Sequence, residues 1–220
     1  MFSSFKVIDL SHEISPDVPT WTGSCGFQAD IKMDYPEGLR VQKLHLHAGI
    51  STHMDAPSHF YPQGASLSEL DLSQFIVPIY VITKKIDQLN TFIDEDDVEN
   101  FLAENGEPEE GSFIAFNTGW SHKFNDPKEY RADLKFPGVA TNAVERFMDY
   151  SICGIGIDTL SPDGSNPTHP VHHLVLSKGL YIIENLNGLD LLPAKGAYMI
   201  ALPLKIKGGT EGPVRAIAFY

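Results

Sequence analysis

Short apolar runs, separated by polar, glycine-rich or proline-containing stretches, dominate the hydrophobic pattern of this chain. Runs of this kind are typical of β-strands. In residues 39–47 apolar and polar side chains alternate imperfectly, whereas 75–82 is apolar almost throughout and indicates a buried strand, with Pro78 marking an edge or a bulge. The predicted strands cover residues 7–10, 39–47, 75–82, 113–116, 152–157, 180–183, 199–204 and 214–219.

A helix is predicted over residues 94–105, where the apolar positions follow a helical period. Asp94 is placed to cap its N-terminus, and acidic residues fill the first turn, where they favour the helix dipole. Gly106 is placed to end it. The apolar stripe of this helix consists of Val98, Phe101 and Leu102.

A second helix is predicted to begin at Thr141 or Asn142, either of which can cap it, while residues 121–130 show no clear period and are predicted as a loop. Residues 208–212 are rich in glycine but lack the lysine of a phosphate-binding loop, so they indicate a hairpin turn. Many strands, few helices and no evident linker predict a mixed α/β or α+β protein in one domain spanning 1–220.

Composition and charge narrow the range of partners. The 220-residue chain has a net charge of −13, and neither nucleic acid nor an anionic membrane surface is expected to bind so acidic a protein. No apolar stretch approaches the roughly 20 residues needed to span a bilayer. Residues 1–6 lack the pattern of a secretion signal, and the two cysteines lie far apart, so we expect a reduced, cytoplasmic protein.

Candidate chemistry is concentrated in one segment. Residues i and i+2 of an extended backbone project to the same side, so His53 and Asp55 can reach one cation together, and Pro57 argues against a helix through them. The alternative is that these histidines simply line a solvated strand. Four of the nine histidines and one aspartate fall within fifteen residues, and they are His45, His47, His53, Asp55 and His59.

Residues 51–59, Ser-Thr-His-Met-Asp-Ala-Pro-Ser-His, resemble the signature of the cyclase family of metal-dependent hydrolases, which includes bacterial kynurenine formamidases and isatin hydrolases. Further blocks of the chain resemble the family in the same order, which makes the likeness more specific than one short motif. These blocks are residues 7–12, 19–23, 117–120, 136–138, 156–163, 170–172 and 183–186. The resemblance implies an α/β fold, a single domain with a mixed β-barrel-like core flanked by helices, that forms homodimers or higher homo-oligomers.

The resemblance also implies roles for individual residues. Asp55 matches a ligand able to bridge two metal ions, His59 matches the residue that transfers a proton, and Trp21 matches an aromatic residue that packs near the substrate. From the residues alone, Asp158 and Asp163 could either line the pocket or cap turns. The positions that match metal ligands are His53, Asp55, His172 and Glu184.

One position departs from the family pattern. In the formamidases a further histidine stands four residues before the one that matches His53, and this chain has Gly49 there. His47, or less directly His45, could replace that ligand if the backbone bulges at the glycine. Alternatively, the first metal site is degraded and one ion binds rather than two.

The expected activity follows from these ligands. A divalent ion, Zn²⁺ or Mn²⁺, activates water and polarises a carbonyl group, and His59 can carry the proton to a leaving amine. The resemblance implies hydrolysis of an amide-type C–N bond in a small aromatic substrate, with N-formylkynurenine as first candidate. The alternatives are ring-opening of a cyclic amide or lactone, a degenerate member that binds without catalysis, and a closed structural metal site. A serine nucleophile is disfavoured because Gly-x-Ser-x-Gly is absent from the sequence.

Overall fold

The computed structural model describes residues 5–220, and its centre is a closed barrel of seven strands. Residues 1–4, part of the stretch for which the sequence predicts no secretion signal, lie outside the described residues. The strands are β1 (Val7–Asp9), β2 (Phe27–Met33), β3 (Val41–Leu46), β4 (His53–Asp55), β5 (Ile76–Thr83), β6 (Phe92–Ile93), β7 (Phe113–Asn117), β8 (Gly138–Val139), β9 (Gly154–Ile157), β10 (Tyr181–Glu184), β11 (Ala197–Pro203) and β12 (Glu211–Phe219). The α-helices are α1 (Glu95–Asn105), α2 (Pro127–Arg131), α3 (Thr141–Glu145) and α4 (Pro170–Leu176).

The barrel runs in the order β12, β11, β5, β7, β9, β10 and β4, and it closes because β4 pairs with β12 as well as with β10. Within the barrel β5, β7, β9 and β10 are parallel to one another, and the other neighbouring strands pair antiparallel. β1 pairs with β12 alone, and β2 with β3 forms a separate hairpin. The barrel-like core flanked by helices that the family resemblance implies is therefore confirmed.

Alternate residues of the strands face two different cores. Phe113 and Ala115 of β7 pack in the barrel interior, while Ile114 and Phe116 pack against the helices outside. On β9 the interior positions are glycines, since a Cβ on Gly156 would lie 2.6 Å from Leu186 Cδ1. The barrel is thus filled by side chains and leaves no room for a site inside it.

Each predicted strand is present with shifted ends, and the predicted features of α1 are confirmed. Asp94 accepts a hydrogen bond from the Asp97 backbone as N-cap, and Gly106 ends the helix. Pro78 does not mark an edge strand or a bulge, because β5 pairs with β11 on one side and with β7 on the other. Pro78 pairs with Tyr198 of β11, and the pairing with β7 begins one residue later, at Ile79. The second helix begins at Thr141, but the predicted cap was wrong, because Ala140 is the N-cap and makes no side-chain capping bond. The hairpin predicted at 208–212 joins β11 to β12.

One predicted loop was wrong, and several short elements were not predicted. Residues 121–130 are not a plain loop, because a 3-10 helix (Trp120–Lys123) and α2 lie there, the latter capped by Asp126 and begun by Pro127. No strand was predicted at β2, β4, β6 or β8, and no helix was predicted at the short α4. Within residues 5–220, no helix has the length and apolar character that crossing a membrane requires.

Candidate metal centre

The functional side chains meet on the outer face of the barrel where β4 closes it. Met54 points into the interior, so its neighbours His53 and Asp55 project to the opposite face. Glu184 of β10 lies directly opposite His53, and Glu211 of β12 lies opposite Asp55. α4 packs over this face and contributes His172.

The predicted metal-binding residues lie within one small volume. His53 Nε2 is 3.3 Å from Glu184 Oε2 and 3.6 Å from Asp55 Oδ1. His172 Nε2 is 3.3 Å from Glu184 Oε1 and 3.5 Å from Asp55 Oδ2. All four side chains are buried. The structure therefore brings His53 and Asp55 together with His172 and Glu184, which follow them by more than a hundred residues in sequence.

Asp55 is the least satisfied of these residues. It is fully buried, and neither of its carboxylate oxygens has a hydrogen-bond partner among the described residues. A buried carboxylate without hydrogen bonds is costly and is ordinarily paired with a charge or bound to a metal. A divalent cation between Asp55 and its neighbours would satisfy it, so the donor set fits a metal ion with mixed nitrogen and oxygen ligands.

The pKa values of His53 and His172 also fit a site that holds a cation. Burial alone would lower the pKa of His53, but the carboxylates of Asp55 and Glu184 outweigh it and raise that pKa to about 10. Burial likewise opposes the charge on His172, yet Asp163, Asp55 and Glu184 raise its pKa well above the ordinary value. The cluster thus has an excess of negative charge, which is compensated by protons on the imidazoles or by a cation.

Hydrogen bonds orient both imidazoles so that Nε2 faces the cluster. His53 donates from Nδ1 to the Ser51 carbonyl oxygen over 2.9 Å. His172 donates from Nδ1 to Asp163 Oδ2 over 2.5 Å, and Asp163 also accepts the backbone N–H groups of Val171 and His172. Asp163 therefore caps α4 and fixes the ring of His172 at once, a role typical of the partner of a metal-binding histidine.

A buried network holds the backbone before β4. The amide of Asn185 donates to the Ser51 carbonyl oxygen, and Thr52 Oγ1 donates to the Asn185 carbonyl oxygen. The Asn185 side-chain oxygen accepts from the hydroxyl of Tyr130. Ser51 and Asn185 both have φ of 55°, an uncommon conformation for these residues. The Ser51 carbonyl that orients His53 is thus itself held by the hydrogen bond from Asn185, and Tyr130 in turn holds the Asn185 side chain.

His59 stands at the wall of the site rather than in the cluster of ligands. It ends the 3-10 helix Pro57–His59, and its side chain is 30% exposed. Its ring centroid lies 6.5 Å from that of His172, and its Nδ1 lies 3.8 Å from Glu211 Oε2. This placement leaves an imidazole beside the predicted metal position and open to a substrate.

A cavity of about 250 Å³ opens above the cluster. Trp21, Phe60 and Leu160 supply its apolar wall. Trp21 is 39% exposed, and Phe60 stacks on His172 with ring centroids 4.9 Å apart. The polar floor consists of His53, Asp55, His59, His172, Glu184 and Glu211, with Ser161 and His169 at the side. The cavity can accommodate a small ring against its apolar wall with a polar group facing the floor.

The structure contradicts the assignment of His47 as the replacement ligand. His47 is exposed and lies against Gly26, whose carbonyl oxygen accepts its backbone N–H. His45 points elsewhere as well, with Nε2 3.3 Å from Asp30 Oδ2. Both belong to the β2–β3 hairpin, which leaves the barrel, and the buried Ile50 fixes the chain between His47 and β4. No bulge at Gly49 brings either histidine to the cavity.

Sequence reasoning left two residues of the site unassigned. The sequence left open whether Asp163 lines the pocket or caps a turn, and in the structure it accepts a hydrogen bond from His172 Nδ1. Asp158 accepts hydrogen bonds from Thr118 and Trp120 and stabilises a turn. Glu211 had no role at all. It follows a glycine-rich turn and resembles an ordinary surface acid, so only the pairing of β12 with β4 reveals its position.

Comparisons with known proteins agree with this geometry. The isatin hydrolase of Roseibium aggregatum is 33% identical over 192 residues, which cover 80% of this chain and 72% of that protein. The kynurenine formamidase of Bacillus cereus is 28% identical over 214 residues, 96% of this chain and 95% of that protein. An isatin hydrolase crystallised with the product analogue thioisatinate has a TM-score of 0.91 at 25% identity, over 98% of this chain and 92% of that one.

A further solved structure, described as a potential metal-dependent hydrolase with cyclase activity, has a TM-score of 0.78 at 27% identity and covers 98% of both chains. The family model named Cyclase matches residues 8–164, which is more than half of the sequence. With a relative at 33% identity over 80% of the chain as well, the family expected from residues 51–59 is confirmed. This chain belongs to the cyclase family.

Proposed function

We propose that this protein is a metal-dependent hydrolase that cleaves an amide-type C–N bond in a small aromatic substrate. The observation that carries the proposal is the fully buried Asp55 at the floor of an open cavity. Its oxygens accept no hydrogen bond from the described part of the chain and face His53, His172 and Glu184. A closed structural site would not need that cavity. The named relatives, an isatin hydrolase and a kynurenine formamidase, support the enzyme class.

The residues proposed to hold the metal are His53, Asp55, His172 and Glu184. Their two imidazoles and two carboxylates suit Zn²⁺ or Mn²⁺. When bound, such an ion supplies a Lewis acid that polarises the substrate carbonyl and lowers the pKa of water. Asp163 keeps His172 in the tautomer that leaves Nε2 free for the ion.

The chain's own groups then handle the substrate and the protons. His59 accepts a proton from the attacking water and delivers it to the leaving nitrogen, which makes that nitrogen a neutral amine. Trp21 and Phe60 pack against an aromatic ring and keep bulk water from the reacting carbonyl. Each of these roles requires only side chains that line the same cavity.

N-formylkynurenine is the first candidate substrate, and the formamidase relatives support it. A cyclic amide of the isatin type is the second, and it is favoured by the greater identity to the isatin hydrolase of Roseibium aggregatum. Both substrates present an amide carbonyl beside an aromatic ring, which is the shape that the apolar wall and polar floor accommodate.

The test is hydrolysis of both compounds by protein stripped of metal and then reconstituted with Mn²⁺ or Zn²⁺. We expect turnover of at least one substrate after reconstitution and little before it. Protein that binds metal but hydrolyses neither compound would indicate a member that binds without catalysis. Equal rates with and without metal would contradict the proposal.

The His59 assignment has its own prediction. His59→Ala removes the proton carrier but none of the proposed ligands, so kcat should fall by about 10²–10⁴-fold while metal content stays unchanged. The control is His122→Ala, which changes an exposed histidine outside this cavity. Turnover by His59→Ala at the wild-type rate would exclude this role.

Assembly and location also remain proposals. We expect a homodimer or a higher homo-oligomer, because the β2–β3 hairpin exposes apolar side chains that a partner subunit could cover. These side chains are Ile31, Met33, Val41, Leu44 and Leu46. The expected cytoplasmic location and the single domain over 1–220 are consistent with two free cysteines and one closed barrel.

A further inference from the structure

Glu211 lies in the cavity but has no part in the function proposed so far. It is the first residue of β12 and stands opposite Asp55 in the strand register. Its side chain is 25% exposed, and its Oε2 is 3.8 Å from His59 Nδ1. The Glu211 carboxylate, His53 and Asp55 each offer an atom within 4.8 Å of the other two.

Gly49 leaves the space that this carboxylate fills. A Cβ built on Gly49 would lie 2.7 Å from Glu211 Oε2 and 3.3 Å from His53 Nε2. Any side chain at position 49 would therefore enter the same small volume between His53 and Glu211. The side chain that is missing at Gly49 and the carboxylate supplied by Glu211 occupy one position in the site.

The two oxygens of Asp55 face different neighbours. Oδ2 is 3.5 Å from His172 Nε2, on the side of the cluster formed with Glu184, whereas Oδ1 is 3.6 Å from His53 Nε2, on the side of Glu211. Neither oxygen has a hydrogen-bond partner within residues 5–220. One cation on the His172 side would leave Oδ1 and the Glu211 carboxylate with uncompensated charge.

We propose that Glu211 is a ligand of a second divalent cation, which it binds together with His53 and Asp55. The proposal rests on the metal centre of the proposed function and adds a site to it. Asp55 bridges the two cations, His172 and Glu184 complete one site, and Glu211 completes the other from the far strand. Gly49 is the residue that makes room for it, so no histidine from the β2–β3 hairpin is required.

The test is the number of Mn²⁺ ions per chain after loading, removal of free metal by gel filtration and elemental analysis. Wild type is expected to hold about two ions. Glu211→Ala and the isosteric Glu211→Gln are expected to hold about one, and His47→Ala about two. The matched control Glu13→Ala, which removes an equal charge outside the cavity, is expected to hold about two.

Gly49→Ala tests the same site without changing any ligand. Gly49 is outside the left-handed region of φ, so alanine suits its backbone, but its Cβ would displace the Glu211 carboxylate. This variant is expected to lose one ion. The double variant Gly49→His with Glu211→Ala exchanges one ligand for another and is expected to regain the ion that Glu211→Ala loses.

Three results would overturn the proposal. The first is a wild-type chain that holds a single ion. The second is that Glu211→Ala and Glu211→Gln both keep two ions, even if their pH profiles change through the contact with His59. In either case loss of the remaining metal in His172→Ala would leave the proposed function intact. A wild-type chain that binds no metal would refute the second site and the metal centre together.

Discussion

Asp55 and its neighbours set the energetics of the site at the scale of single residues. Two buried oxygens that accept no hydrogen bond from residues 5–220 cost free energy, and the surrounding imidazoles offset this cost only when they are protonated or share a cation. The same residues that suit a metal ion therefore make the empty site unfavourable. Hydrogen bonds from His53 to Ser51 and from His172 to Asp163 keep the donor atoms aligned.

Asp163 provides a test of that alignment. Asp163→Asn removes the negative charge that accepts the Nδ1 proton of His172, so metal affinity should fall by about 10–100-fold. Calorimetric titration with Mn²⁺ measures the change. Asp149→Asn, on the exposed surface, is the matched control and should bind as wild type does. Unchanged affinity in Asp163→Asn would show that this contact does not position the ligand.

His12 makes stability depend on pH through a different mechanism. Burial lowers its pKa from 6.5 to about 4, and its ring stacks on Phe124 with centroids 3.6 Å apart. Among the residues that the structure describes, its Nε2 has no hydrogen-bond partner. The unfolded chain binds the proton at a higher pH than the folded chain does. The stabilising contribution is therefore complete above about pH 6.5 and is lost as the pH falls from there towards 4.

His12→Phe keeps the stacked ring and cannot be protonated. Wild type should lose about 1–2 kcal/mol more of its free energy of unfolding than this variant does between about pH 7 and pH 5. Urea unfolding at the two pH values measures the difference. His45→Phe, at an exposed position of the hairpin, should retain the wild-type slope. Identical slopes for wild type and His12→Phe would contradict this account.

At the scale of elements, the local signals in the sequence decided what could be predicted. α1 has a cap, a stripe and a terminating glycine, and all three are present in the structure. α4 has only seven residues, which is too short to show a helical period in the sequence, and the residue before it, His169, has a left-handed backbone conformation. β4 is three residues long, and its hydrogen bonds come from β10 and β12, which are remote in sequence.

The N-cap of α1 is expected to stabilise the fold measurably. Asp94→Ala removes the hydrogen bond to the Asp97 backbone and should lower the free energy of unfolding by about 1 kcal/mol. Asp96→Ala removes an equal charge from the same turn without removing the cap, so its loss should be smaller. Urea unfolding of the two variants compares them directly. Equal losses would mean that charge, and not the capping bond, is responsible.

In the candidate site too, residues with a local sequence signal could be predicted and those placed by long-range pairing could not. His53, Asp55 and His59 are close in sequence, and their spacing alone indicated a metal site. His172 and Glu184 were reached through the family resemblance, because nothing local separates them from other histidines and acids. Glu211 required the register between β12 and β4, which no spacing reveals. His47 was wrong because the hairpin carries it away from the barrel.

At the scale of the whole molecule, the site coincides with the closure of the barrel. β4 is held between β10 and β12, and the side chains at this seam come from all three strands and from α4. A cation bound there would link elements that are separated by more than a hundred residues of chain. Metal binding and barrel stability are therefore coupled.

Metal removal is predicted to destabilise the protein for this reason. A ligand at 100 times its Kd stabilises the folded state by about 2.7 kcal/mol, and each kcal/mol raises the Tm of a chain of this size by about 2–4 °C. Thermal melting with chelator and with excess Mn²⁺ measures the shift. His172→Ala, which lacks one ligand, should show a smaller shift. A Tm that does not respond to metal would contradict the coupling.

The most direct test of the central claim is the anomalous diffraction of crystals of the Mn²⁺-loaded protein. We predict an anomalous peak on the outer face of the barrel, with His172 Nε2 and oxygens of Asp55 and Glu184 at about 2.0–2.2 Å from it. A loaded, folded protein with no peak among these residues, or with its only peak elsewhere, would contradict the account.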